Sequence, residues 1–471
     1  METKLERNEA LAHEAIGHVI QKYSPTGKRI GWMMIASIFI EAWDLYSISF
    51  LLIFLKRQFN PSALMLGFTA AGTQGGAVLG ALMGGWLSDR FGRRKIFLST
   101  MVMFIVLGVA QGFAPNMETL AVIRLLLGIP LGSDLAAGYT YIMESMEPGK
   151  REVMGNRWQA MFGIGEVVSI GVITVMFTMG VAPNLLWRVA LSLGALPALV
   201  LLLLRLDLPE TAIWLIQKGR FREAKVVTMK MYGDSLEMLP DVDVEMVKPK
   251  LTDFLRDIWL DRTKRRASIF AWIGSWAQAL EFSTFAFYLP IMFVLVGVSG
   301  IVATNFLSMA IYSIAVVSGL VGPQILPRIG QRRLSIAGFA IVLVSLITVA
   351  IALSTKTLWL VPVAAAAMLW GHYWDAENVM TIPSMAAAPR QKGLATGFAY
   401  IHNKLPAFLG IFLFPTFFGH LGQAKATLFT GVFPLIGLLA AIFILPEVYG
   451  YVEVRRNRVQ VDGASVVDVP A

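Results

Sequence analysis

The sequence predicts an all-α membrane protein with the fold of twelve transmembrane helices in two parallel-repeat six-helix bundles. Three observations carry that prediction. Hydrophobic residues make up 56% of the 471 positions and charged residues only 15%, against roughly 25% charge in a soluble domain. Apolar runs of about 20 residues, enough to span a bilayer, occur twelve times. Six lie near 31–55, 64–88, 96–114, 119–143, 154–178 and 185–205. After a polar stretch, six more lie near 268–296, 301–326, 334–354, 358–382, 394–418 and 426–445. Finally, motifs recur at a fixed offset. Gly92 with Arg90, Arg94 and Lys95 returns as Gly330 with Arg328, Arg332 and Arg333, and Pro209-Glu210 returns as Pro446-Glu447. The offsets are 238 for Arg90 and Arg328 and 237 for Pro209 and Pro446. Parallel repeats of this kind mark transporter chains.

Taken in order, residues 1–30 read as a cytoplasmic N-terminal segment. Glu and Lys lie along a possible amphipathic helix there, and no apolar core follows a short basic start as it would in a cleavable signal. Residues 31–206 form the first bundle and 207–267 a cytoplasmic linker containing Pro240 and Pro249. Phe254, Leu255, Ile258 and Trp259 within it have the spacing of a short helix lying on the membrane face, although a plain linker is equally consistent. Residues 268–446 form the second bundle and 447–471 a cytoplasmic tail. Lys and Arg crowd one set of loops, Lys28 to Arg29, Arg90 to Lys95, Lys150 to Arg151 and Arg328 to Arg333 among them. The alternate loops hold Lys56, Arg57, Lys356 and Lys425. The positive-inside rule then puts both termini in the cytoplasm of a cell that carries the chain in its plasma membrane.

Composition also excludes functions. The chain has no cysteine, so thiolate and disulfide chemistry are absent. Its net charge of +9 is spread over short loops, which suits anionic headgroups and not nucleic acid. No nucleophile–base motif, phosphate loop or metal-ligand spacing is found, so neither an enzyme nor a cofactor is expected. The expected partners are a small polar solute, a proton and the bilayer, with the protein monomeric.

The loop Gly84-Gly85-Trp86-Leu87-Ser88-Asp89-Arg90-Phe91-Gly92-Arg93-Arg94-Lys95 separates two apolar runs. It resembles the signature between the second and third helices of the major facilitator superfamily. Pro209-Glu210-Thr211-Ala212-Ile213-Trp214-Leu215 is similar to the segment after the sixth helix in sugar porters and phosphate symporters. The resemblance implies that Asp89, Arg90, Gly92 and Arg93, with Glu144 and Arg151, control gating. Pro148 stands one residue from the family spacing.

An ionisable group inside a span is a functional hypothesis. Four acids stand out, and the repeat pairs them: Asp44 with Glu281 at 237, and Asp134 with Asp375 at 241, the offset that also separates Pro148 from Pro389. In the superfamily, helices 1, 4, 7 and 10 line the central cavity, so the resemblance aims four carboxylates at one pathway. A carboxyl in a low-dielectric cavity can cycle between neutral and charged forms, as proton coupling requires. Ala42-Trp43-Asp44-Leu45-Tyr46 resembles the helix-1 acid motif of proton symporters, and Arg124 matches the arginine that pairs with such an acid in sugar porters.

For the solute the sequence points two ways. Gln278 matches one of the sugar porters' paired glutamines, while Ala279 replaces the second. Asn378 and Lys404 match phosphate-type symporters, although Glu377 replaces their proline. Lys404 would bind an anion or neutralise Asp375 or Glu377. Tyr46 and Trp374 would stack on a sugar or pack helices, and His372 and His402 would be hydrogen-bonded packing residues or, second to the acids, proton carriers. The expected function is proton-coupled symport of a sugar, phosphate or organic anion. The rivals are a passive facilitator or antiporter, and a non-transporting receptor on a carrier scaffold.

Overall fold

The computed structural model describes residues 4–22, 24, 27–246, 252–386 and 392–450, with a few side chains, those of Glu377 and Asn378 among them, left undescribed. Among the described residues the regular secondary structure is helical throughout. Eight helical stretches are long and apolar enough to cross a membrane. One of them, Ile301–Ser354, contains two spans hinged at Gly330, whose φ of +79° interrupts the helix. Ala63–Phe91, Leu360–Ala386 and Lys392–Leu421 complete the twelve.

Polar residues set several helix starts. Ser62, Asn116 and Asp261 accept from the backbone N–H three residues on, at 3.2, 2.8 and 2.8 Å. Within the first half, spans two and four cross at backbone contact. A Cβ on Gly76 would lie 1.8 Å from the Leu125 carbonyl oxygen, and one on Gly128 2.1 Å from that of Thr73. Small residues permit this approach, and the crossing brings polar groups of both spans onto the first.

The two halves meet along spans two and eleven, where a Cβ on Gly397 would lie 2.2 Å from the Ala81 carbonyl oxygen. At the opposite end Ser49 donates to the Phe287 carbonyl at 2.8 Å.

The segment between the halves is more ordered than a linker. Ala212–Gln217 and Phe221–Tyr232 are helices. Their Ile213, Trp214, Leu215 and Phe221 pack against Ala12, Ala15, Ile16 and Val19 of the N-terminal helix Lys4–Ile20. The expected surface helix is present as Asp253–Leu260. Ile258 is buried against Leu394 and Ala395, while Trp259 and Leu260 are exposed. The tail beyond residue 450 lies outside the described residues.

Candidate functional site

Asp44 sits in the first span, Gly27–Phe59, and is 3% exposed. Arg124 of the fourth span reaches it at 3.1 Å. Thr73 of the second span donates to Oδ2 at 2.8 Å, and Gln111 of the third donates to Oδ1 at 3.3 Å. Arg124 is fully buried. It donates Nε to the Thr69 carbonyl and Nη1 to Gln111 as well, leaving Nη2 without a hydrogen-bond partner. One charge is thus compensated by one charge plus neutral donors, the condition under which a buried ion pair is tolerated.

Asp134 follows the glycine-rich stretch of the fourth span but does not join Asp44. It is held by Arg205 at 2.8 Å and by the Thr100 hydroxyl at 3.1 Å. Arg205, at the end of the sixth span, also donates to the Met33 carbonyl and the Ser37 hydroxyl of the first. The four acids therefore do not form one cluster. The two in the first half are tied to separate arginines inside their own bundle.

In the second half the acids converge. His372 Nδ1 lies 2.9 Å from Glu281 Oε1 and 3.9 Å from Asp375 Oδ1. The three groups have facing polar atoms within 4.8 Å of one another, and all are buried. Gln278 Nε2 meets His372 Nε2 at 3.1 Å, and Asn403 donates to Gln278 Oε1 at 2.7 Å. Among the described residues, Glu281 Oε2 and both oxygens of Asp375 have no hydrogen-bond partner. Two ionised carboxylates at such a separation repel by about 3.5 kcal/mol at an effective dielectric near 20.

Lys404 does not pair with Asp375, and the side chain of Glu377, the other acid expected to meet it, lies outside the described residues. Lys404 forms an ion pair with Glu41 of the first span, whose other oxygen accepts from the Tyr400 hydroxyl at 3.1 Å. This pair joins the two halves. A second such link is Glu166, fully buried in the fifth span, which accepts from the Tyr373 hydroxyl at 2.5 Å. Between these links lies an aromatic cluster. Tyr46 packs edge-on to Tyr312, Phe162 and Phe282, with ring centroids 5.0, 6.2 and 6.2 Å apart. Trp374 turns toward the eighth span, donating to the Ser318 carbonyl at 3.3 Å. The side chains of Glu377 and Asn378 lie outside the described residues.

At the end bearing the basic loops, Arg93 is completely buried between Asp89 at 3.0 Å and Glu144 at 2.7 Å. Asp89 also accepts from the backbone N–H groups of Gly393 and Leu394, at 3.2 and 2.8 Å, and so ties the halves together. Gly92 has a φ of +102°, and a Cβ there would lie 2.2 Å from Glu210 Oε2. Glu210 accepts from the N–H groups of Arg93 and Arg94, as Glu447 accepts from those of Gln331 and Arg332. Arg90 lies over the rings of Trp86 and Phe91, and Arg151 pairs with its neighbour Glu152 at 3.2 Å.

Sequence reasoning missed Arg205, Glu41 and Glu166. The last two carry the same signal as Asp44, an acid inside an apolar run. Arg205 carries a weaker one, a basic residue at the end of a span where it would ordinarily reach for the interface.

These features have known counterparts. Residues 30–452 match the family model described as Sugar (and other) transporter. The inner membrane metabolite transport protein YgcS of Escherichia coli is 25% identical over 394 residues, covering 83% of this chain and 85% of that protein. The glucose transporter GlcP of Staphylococcus epidermidis is 25% identical over 424 residues, covering 87% and 92%. The structure of the proton:xylose symporter XylE of E. coli, bound to 6-bromo-6-deoxy-D-glucose, superposes with a TM-score of 0.73 at 19% identity, covering 91% of this chain and 98% of that one. With twelve spans, two repeated halves and a family match over nine-tenths of its length, the chain is a multi-pass membrane transporter of the major facilitator fold and belongs to the sugar (and other) transporter family.

Proposed function

We propose that this protein is a proton-coupled symporter of a neutral, sugar-like solute. It would work in the plasma membrane by alternating access, with the basic-loop end and both termini in the cytoplasm. The observation that carries the reading is Asp44. It is a buried mid-span carboxylate with a single compensating cation, Arg124, at 3.1 Å. While the pair is intact, Arg124 supplies the carboxylate's counter-charge. When the pair opens, a lone buried charge is costly and Asp44 takes up a proton. Among the described residues Arg124 Nη2 has no partner, so the arginine has a donor to offer another acceptor as it lets go. The Glu41–Lys404 pair supports a neutral solute, because the lysine that would hold an anion already has a counter-ion. A glucose transporter among the relatives and a proton:xylose symporter among the fold neighbours favour the same class.

Uptake into proteoliposomes under an imposed pH gradient tests the proposal, with D-glucose and D-xylose set against inorganic phosphate and small carboxylates. Accumulation of a sugar is expected. Asp44→Asn should abolish uphill accumulation and leave exchange without a gradient largely intact, because exchange need not release the proton. Gradient-driven accumulation by Asp44→Asn, or of anions in place of sugars, overturns the reading.

A further inference from the structure

We infer that Glu281, His372 and Asp375 form a second proton-binding site, in which one proton is shared between the two carboxyl groups beside a neutral imidazole. Any role for this site in transport rests on the proton-coupled reading above, but the site itself does not. Three observations place it. The trio is buried, and its polar atoms lie within 4.8 Å of one another. Among the described residues, neither carboxylate is ion-paired with a lysine or an arginine. Among the described residues, Glu281 Oε2 and both oxygens of Asp375 are buried without a hydrogen-bond partner. Two buried like charges at this range do not both persist, and one proton between them removes the conflict.

The hydrogen bonds around the imidazole define which proton goes where. Asn403 donates to Gln278, and the Gln278 amide then donates to His372 Nε2. Nε2 is therefore an acceptor and Nδ1 carries the hydrogen, which it donates to Glu281 Oε1. The imidazole stays neutral and occupies one oxygen of Glu281. The other oxygen, Oε2, makes no hydrogen bond among the described residues. Binding the proton forms one O–H bond on either carboxyl and one hydrogen bond to its neighbour, and the net charge of the trio falls from −2 to −1. This arrangement also disfavours a metal ion, since Nδ1, the nitrogen that faces both acids, has no lone pair to give while it carries hydrogen.

Among the described residues, the side chains that pack on the trio from the neighbouring spans are uncharged. The ninth span presents Gly338 to the Asp375 backbone. The seventh stacks Phe282 on the imidazole, with centroids 4.5 Å apart. Tyr373, the residue next to His372, donates across the interface to Glu166 of the first half. Phe282 in turn rests on Tyr46 and Phe162 of the first half. The proton site is thus one ring behind the surface along which the halves must part.

Infrared spectroscopy of the full-length protein tests this without a solute. At neutral pH a protonated-carboxyl carbonyl band that shifts in heavy water is expected. It should keep its size in Asp44→Asn and shrink in Glu281→Gln/Asp375→Asn. The single change Asp375→Asn should move the band, because the shared hydrogen bond is replaced, and this variant serves if the double one does not fold. A band unaltered by both changes overturns the proposal. So does one equivalent of manganese or zinc retained by the wild type and lost with Glu281→Gln, measured by elemental analysis after incubation with the metal. Failure of Asp44→Asn to uncouple transport would refute the proposed function and leave this band where it is.

Discussion

In the first half Asp44 and Asp134 each face an arginine, at 3.1 and 2.8 Å; in the second, Glu281 and Asp375 face each other across a histidine. The acids occupy matching positions in the repeat, but their counter-ions do not. The offsets of 241 and 237 carry Arg124 to Ala365 and Arg205 to Ile442. One duplicated scaffold thus holds two solutions to the same electrostatic problem. A guanidinium gives a buried carboxylate a counter-charge and fixes its position. A carboxyl pair without a cation is relieved by one shared proton, as inferred above. The first solution is sensitive to loss of the cation and the second is not.

That contrast gives the largest expected effect. Arg205→Met leaves Asp134 buried with only the Thr100 hydroxyl as donor, and stranding a buried charge costs about 3–5 kcal/mol. We expect a large drop in the melting temperature of the purified protein, mostly restored by adding Asp134→Asn. Glu281→Gln in the second half should cost about 1 kcal/mol or less, because no cation is stranded. Equal destabilisation by the two changes would mean that the halves are not held differently.

Where the halves are alike, matched substitutions should act alike. Glu210 and Glu447 each accept two backbone N–H groups at a helix start that follows a positive-φ glycine. Burial holds the Glu210 carboxyl above its ordinary range in spite of Arg93. An amide there replaces a group already reluctant to ionise, so the loss is limited to weakened hydrogen bonds, about 1–2 kcal/mol. Glu210→Gln and Glu447→Gln should therefore lower the melting temperature by similar amounts. Asp89→Asn, which has Pro327 at its repeat position, should instead slow transport more than it destabilises, since it loosens the tie to Gly393 and Leu394. An Asp89→Asn protein with normal turnover and a lowered melting temperature would make that contact structural only.

The twelve spans and the duplicated loop were legible because apolar length and glycine–basic spacing are local properties of the chain. So were the four paired acids, since a charge in an apolar run is visible without a fold. Their partners were not. Arg205 meets Asp134 across 71 positions and Lys404 meets Glu41 across 363, and only helix packing decides such meetings. Repeat logic also favours acids with acidic counterparts. Glu41 corresponds to Gln278, so it went unremarked although it anchors a link between the halves. The segment 207–267 reads as a linker because its charges mask short apolar faces. Those faces become a core only when Ala12, Ala15, Ile16 and Val19 are added from the other end of the sequence.

The same contrast between buried and open charge sets the smallest effect. Asp234 holds Lys22 at 2.5 Å and His18 at 2.8 Å, the last residues of the N-terminal helix and its turn. The Lys22 ammonium, the Leu236 N–H and then His18 hold its carboxyl well below the ordinary range. An acid with a depressed folded-state pKa contributes stability that is present above its unfolded value, about 3.9, and is lost only as pH falls through the lower folded one. Mild acidification from neutrality should therefore leave this contact intact. Lys22 and His18 are more than a third exposed, and such pairs contribute at most about 1 kcal/mol. The apolar residues Ala12, Ala15, Ile16 and Val19 should do most of the holding. Hydrogen exchange over Lys4–Ile20 in Asp234→Asn should then quicken by about fivefold or less, with transport unchanged. Complete loss of protection in that variant would show that the charge, and not the apolar face, docks the helix.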